Sequence, residues 1–206
     1  APYCMPLYSQ IPCNQPGVSN NPGNFINDFI HSYNTVGGIV NIVDNNTGCN
    51  AQNLGGTKNY YYRTHILQVC PGTAITSNFQ SGNVFAQGCA VWVDWNLDNV
   101  FQPAELVTAT PGVPPAATWA AMGPWIVPIV PPGIYRMRVI CVYATAGTFI
   151  NPCINYTYGE THDYRVQIIV SSMTVTASNN SPLCAGQTLN LNAFYTGTTV
   201  PTFTWT

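Results

Sequence analysis

The sequence predicts an all-β protein: an antiparallel β-sandwich of jelly-roll or immunoglobulin-like build, followed by part of a second, immunoglobulin-like sandwich. Three observations carry this. Two stretches alternate with period two: Tyr135, Met137, Val139, Cys141 and Tyr143 fall on one face of a strand, and Tyr164, Val166, Ile168 and Val170 on one face of another. Arg136, Arg138, Arg165 and Gln167 fall on the opposite faces, the pattern of sheets with one side in a core. No segment has the spacing and caps of an amphipathic helix, and the 17 Gly and 17 Pro residues break the chain into strand-sized pieces.

In chain order, residues 1–59 are loop-rich, with N-Q-P-G, N-N-P-G and V-G-G turns and short strands expected at 25–33 and 36–43. The run Y-Y-Y-R-T-H-I-L-Q-V, 60–69, is β-rich and stops at Cys70-Pro71-Gly72. Another strand region spans 83–95. Residues 111–133 are dense in proline around Trp119 and Trp125. Proline has no N–H for a sheet ladder, so an extended edge segment or long loop is expected there. The two alternating strands follow. Composition shifts at Ser171-Ser172, which sets domains at 1–170 and 171–206. Segments 173–178, 187–194 and 201–206 read as three strands. Three strands do not close a sandwich, so the second domain is expected to be incomplete. Cys184 and Trp205 fit the immunoglobulin pattern of Trp packed on a disulfide, with the partner of Cys184 expected beyond Thr206.

Hydrophobic residues make up 46% of the 206 residues and charged residues 6%, with a net charge of −2. Five basic residues give no basic face for nucleic acid. No apolar run has the length of a membrane span. The start at Ala1 reads as a processed end after signal-peptide removal, and eight cysteines among few charges predict an oxidising, extracellular setting. Without a C-x-x-C pair or a Cys/His cluster, disulfides are favoured over zinc. Cys141 and Cys153 flank a loop and are expected to pair, contributing about 3 kcal/mol in the chain-entropy model. Cys4–Cys13 is a second, local candidate. Cys49, Cys70 and Cys89 are not assignable from sequence.

The chemistry-bearing stretch is D-W-N-L-D-N-V-F-Q-P-A-E, 94–105. Counted from Asp94, it places Asn96 third, Asp98 fifth, Val100 seventh and Glu105 twelfth, the spacing of a calcium loop. Calcium takes six to eight oxygens at about 2.3–2.6 Å. Side chains of Asp94, Asn96 and Asp98, the Val100 carbonyl and a bidentate Glu105 would supply six. Asn99 stands where such loops have Gly and tolerates left-handed backbone. If Pro103 carries Glu105 away, Glu160 or Asp163 is expected to complete the shell. The alternative is a polar turn knitted by Asp94 and Asn96 hydrogen bonds. Glu160 and Asp163 have their own alternative, an ion pair with Arg136 or Arg138. The sequence has no H-E-x-x-H, G-x-S-x-G or phosphate-loop motif, so it is read as non-catalytic. His31, His65 and His162 read as ordinary surface or half-buried residues. Tyr60, Tyr61, Tyr62, Trp119 and Trp125 are either a sugar-stacking platform or core packing. Asn45, Asn155 and Asn179 match N-x-[ST] by spelling alone.

Y-C-M-P-L-Y-S (3–9), V-W-V-D-W-N-L-D-N-V-F (91–101), Y-R-M-R-V (135–139) and Y-G-E-T-H-D-Y (158–164) occur in the order seen in the GEVED domain, which the chain resembles over about residues 1–170. The naming motif is here Gly159-Glu160-Thr161-His162-Asp163, with His162 in place of Glu. The usual D-W-N-x-D-G-D-F has Asn99 for Gly and Val100 for Asp. The resemblance implies a non-catalytic module of secreted and surface proteins of Bacteroidota-type bacteria, often exported by the type IX system and acting in adhesion, filaments or gliding. The partners this implies are other surface-protein domains or copies of itself. Low charge leaves little to repel such copies. The other reading is a carbohydrate-binding module with glycan partners.

Overall fold

The computed structural model describes residues 2–8, 29–47, 60–169, 174–196, 202 and 204. The chain divides into two compact units, Ala1–Ile169 and Val170–Thr206. In the first, two sheets face each other. One has the order β2-β1-β4-β7, built from Ser32–Val36 (β1), Val43–Asn45 (β2), Ala74–Gln80 (β4) and Trp119–Ile126 (β7). The other has the order β3-β9-β8-β5-β6, built from Tyr60–Val69 (β3), Gln87–Val93 (β5), Leu106–Ala109 (β6), Gly133–Tyr143 (β8) and Gly159–Ile168 (β9). The all-β sandwich is as expected, but its pairing is not wholly antiparallel, because β3 runs parallel to β9. Those strands are far apart in sequence, so no hairpin constrains their direction.

Alternation places the core. Tyr33, Ile75, Phe79, Met122 and Trp125 from the first sheet meet Val91, Val93, Tyr135, Met137, Val139, Tyr164 and Val166 from the second. The far side of the five-stranded sheet is covered too. Ala90, Trp92, Phe101, Ile140, Val142 and Ile150 form a second apolar cluster, with Tyr3, Cys4, Cys153 and Tyr156 packed on it. The cover is an N-terminal strap, residues 2–8, beside the 150–156 segment. Burial on both faces explains why β5 reads as an apolar run from Gly88 to Val93. It also corrects the expectation for β8: Arg138 points away from the central core yet is 0% exposed.

The cover is closed by a disulfide between Cys4 and Cys153. The expected Cys141–Cys153 pair is therefore wrong, and the reason is the sheet itself. Cys141 faces the central core, in register with Cys89, while Cys153 lies on the opposite side of the same sheet. Cys4–Cys13 is excluded because Cys4 is already bonded; Cys13 itself lies outside the described residues.

Other elements depart from expectation in detail. Of the early strands, the structure has β1 and the short β2, with Gly37–Ile39 as a bend between them; residues 25–28 lie outside the described residues. The strands β4 and β6 were not anticipated. The proline-rich stretch does contain an edge strand, β7. The second unit shows an antiparallel hairpin of Thr174–Asn179 (β10) and Leu191–Thr196 (β11), with Cys184 exposed and unbonded. Trp205 lies outside the described residues, and most of the strand expected at 201–206 with it.

Candidate metal loop and the buried charges behind it

The 94–105 loop begins where β5 ends. Asp94 is 0% exposed, and its backbone N–H donates to the Arg136 carbonyl at 3.0 Å, which anchors the loop to β8. Its Oδ2 accepts from the Tyr3 hydroxyl at 2.5 Å and from Asn99 N–H at 3.0 Å. Its Oδ1 is buried with no hydrogen-bond partner. Asn96 Oδ1 accepts from Asp98 N–H at 3.0 Å, and Asp98 Oδ1 from Val100 N–H at 2.8 Å. Asp98 Oδ2 accepts from the Asn96 and Gln102 amides at 3.1 and 2.6 Å. The backbone is left-handed at Leu97 (φ 60°) and Asn99 (φ 67°). Asn adopts this conformation readily; for Leu97 it is strained.

Pro103 does not carry Glu105 away. It opens a 3-10 turn, Pro103–Glu105, that directs the Glu105 side chain back into the loop. Glu105 Oε1 accepts from Trp95 and Asn96 N–H at 2.8 and 3.4 Å, and Oε2 from Gln102 N–H at 3.0 Å. All the expected ligands therefore belong to one compact loop. Among the described residues, however, no three His, Cys, Asp or Glu side chains gather as a metal cluster, and the loop is tied by its own N–H groups.

Glu160 and Asp163 do not complete this shell. Both lie on β9 but on opposite faces, and both are spent elsewhere. Glu160 Oε2 accepts from Phe29 and Ile30 N–H at 3.2 and 2.7 Å, and its Oε1 lies 2.9 Å from His162 Nε2. Asp163 is the cross-strand neighbour of Arg138. It takes Arg138 Nε on Oδ1 at 2.8 Å and Arg138 Nη2 on Oδ2 at 3.0 Å, with the Tyr60 hydroxyl at 2.5 Å and Arg136 Nη1 at 3.3 Å. Arg138 Nη1 donates to the carbonyls of Cys4 and Pro152, both at 2.9 Å, so it joins both covering segments under the disulfide. Burial opposes the charge on Arg138, but Asp163 beside it holds the guanidinium protonated. Burial and the adjacent Asp163 push the Tyr60 phenol up, so it stays a neutral donor. The ion-pair reading thus holds for Asp163 and not for Glu160.

Sequence reasoning missed one more buried acid, Asp44. Arg63 grips it with two bonds of 2.6 Å, and the Tyr164 hydroxyl donates to it at 2.9 Å. His162, expected near the surface, is fully buried between Glu160 and Tyr164. The aromatic platform is largely core: Tyr60, Tyr61 and Trp125 are buried, while Tyr62 and Trp119 are exposed.

The buried pair Arg138–Asp163, the loop at Asp94 and the strand carrying Gly159 all fall within one contiguous stretch. Residues 88–167 match the GEVED domain. The GEVED domain is a module of surface and secreted proteins. No curated protein matches the chain. Gly159, the first residue of the GEVED motif, has a steric reason here: the Tyr8 ring occupies the space a Cβ would need. Among the described residues no helix is long and apolar enough to cross a membrane.

Proposed function

We propose that the chain is a non-catalytic structural and adhesive module of a large bacterial cell-surface or filament-forming protein, exported by the type IX route, with calcium bound in the 94–105 loop. One observation carries the non-catalytic reading. The acids of the GEVED motif are buried and committed to holding the chain, Glu160 on backbone N–H groups and Asp163 on arginines. The calcium reading is supported by the buried, partnerless Oδ1 of Asp94 within a loop whose turns are already set. A carboxylate oxygen buried without a donor is costly, and a cation would offset that cost. Asp94, Asn96, Asp98, the Val100 carbonyl and Glu105 would hold the ion, and its effect would be to fix the loop under the N-terminal strap. Copies of the chain or neighbouring surface domains are the proposed partners.

Thermal melting tests the calcium reading. At calcium one hundred times its dissociation constant, the folded state gains about 2.7 kcal/mol. The midpoint should rise by several degrees and return with chelator, and Asp94→Ala with Asp98→Ala should abolish the response. A midpoint indifferent to calcium leaves only a turn. A second reading, a carbohydrate-binding module, is favoured by the exposed rings of Tyr62 and Trp119. Glycan-array binding lost in Tyr62→Ala or Trp119→Ala would select it.

A further inference from the structure

From the clustering of arginines at the β3–β9 junction, we infer a second site, a cleft that binds a sulfate or carboxylate group. It shares no proposed ligand with the calcium loop. Between Tyr62 and Ile66 the register of β3 slips against β9. The slip opens a cavity of about 280 Å³ lined by Tyr62, Arg63, Arg136, Asp163 and Arg165, with Thr64 and Tyr164. Arg63, Arg136 and Arg165, three of the five Lys and Arg residues of an acidic chain, line it, and Arg138 lies buried behind Asp163.

The charges at this cleft do not cancel. Arg63 is matched by Asp44. Arg136 and Arg138 share the single carboxylate of Asp163. Among the described residues Arg165 meets no carboxylate; its Nη2 donates to the Thr64 carbonyl at 2.9 Å, which holds the side chain at the cleft. Asp163 lines the cavity, but two guanidiniums already neutralise it. Arg136 is held in place by two rings, with its guanidinium carbon 5.0 Å from the Tyr3 centroid and 4.7 Å from that of Tyr62. Two cations in excess, fixed at a concave surface, are a receptor for an oxyanion. The exposed Tyr62 ring at the rim gives a place for a sugar carrying that group.

The test is a titration of the whole chain at constant ionic strength, sulfate replacing chloride, followed through the arginine side-chain N–H resonances. Parallel arms use a sulfated disaccharide and its unsulfated parent. Saturable shifts at Arg165 and Arg136 are expected. Arg165→Gln, at an exposed position, should weaken sulfate binding roughly fivefold at an unchanged melting midpoint, and Arg165→Lys should weaken it less. Tighter binding of the sulfated disaccharide than of free sulfate, lost in Tyr62→Ala, would show that the ring contributes; equal binding would mean the oxyanion alone is read. A linear, unsaturable response, undiminished binding by Arg165→Gln, or equal affinity for the unsulfated sugar overturns the site.

Discussion

Arg138 is among the largest fully buried side chains, and its stability rests on one carboxylate. Replacing Asp163 by Asn should cost about 3–5 kcal/mol, because it leaves a buried guanidinium without its counter-charge. The double replacement Arg138→Met with Asp163→Leu should cost less than Asp163→Asn alone; chemical denaturation of the two variants beside the parent checks this. Asp44 behaves differently with pH. Burial would raise its carboxyl, but the Arg63 hydrogen bonds hold it below its ordinary value of 3.8. The stability it contributes is complete above that ordinary value and is lost as pH falls through the lower, folded-state one. Denaturation midpoints measured from neutral to strongly acid pH should therefore fall below about pH 4, and Asp44→Asn should make that fall shallower. The 94–105 loop was legible in the sequence because its polar residues are local and bond one another at fixed short intervals. The depth of Arg138 was not, since the residues that cover it come from both ends of the unit.

At the scale of elements, strands with one dominant face announced themselves. β8 and β9 alternate cleanly, and β3 carries β-branched and aromatic residues up to a Cys-Pro-Gly stop. β4, Ala74–Gln80, did not, because its inward positions include Ser77, a polar residue buried as acceptor for Trp125 and partner of Tyr33. Parity also held the disulfide answer: Cys141 was placed on the core face by its period, and a residue there does not reach a segment covering the other face. The junction of strap and sheet depends on Gly159. Gly159→Ala would drive a methyl group into the Tyr8 ring and against the Cys141 carbonyl of β8, where overpacking costs about 1–3 kcal/mol. We expect a lower melting midpoint and faster hydrogen exchange at Tyr8 and Tyr156, which form a β-bridge, and at the β8–β9 pairing beside Cys141, with the other core strands unaffected. Uniform acceleration across the core strands would mean the strap is not a separate unit.

On the scale of the whole sandwich, Cys4 and Cys153 are 149 positions apart and join the strap to the opposite end of the unit's sequence. In the chain-entropy model a loop of that length contributes about 5 kcal/mol, an upper value because measured bridges often give less. Cys4→Ser with Cys153→Ser should therefore lower the melting midpoint markedly, and reduction of the parent should reproduce the variant. The same bond fixes how the unit would bear tension. Pulled from residues 2 and 169, the chain transmits load from Cys4 directly across the sulfur bridge to Cys153 and then along β9. Everything between the two cysteines is bypassed. Only the segment from 153 to 169 can lengthen while the bridge holds, and it is gripped along β9 by hydrogen bonds to β8 on one side and β3 on the other. A strand drawn lengthwise between two neighbours must break those bonds together rather than one at a time. Under stretching, the oxidised unit should therefore yield only a short extension at high force, and the reduced one should unravel through most of its length.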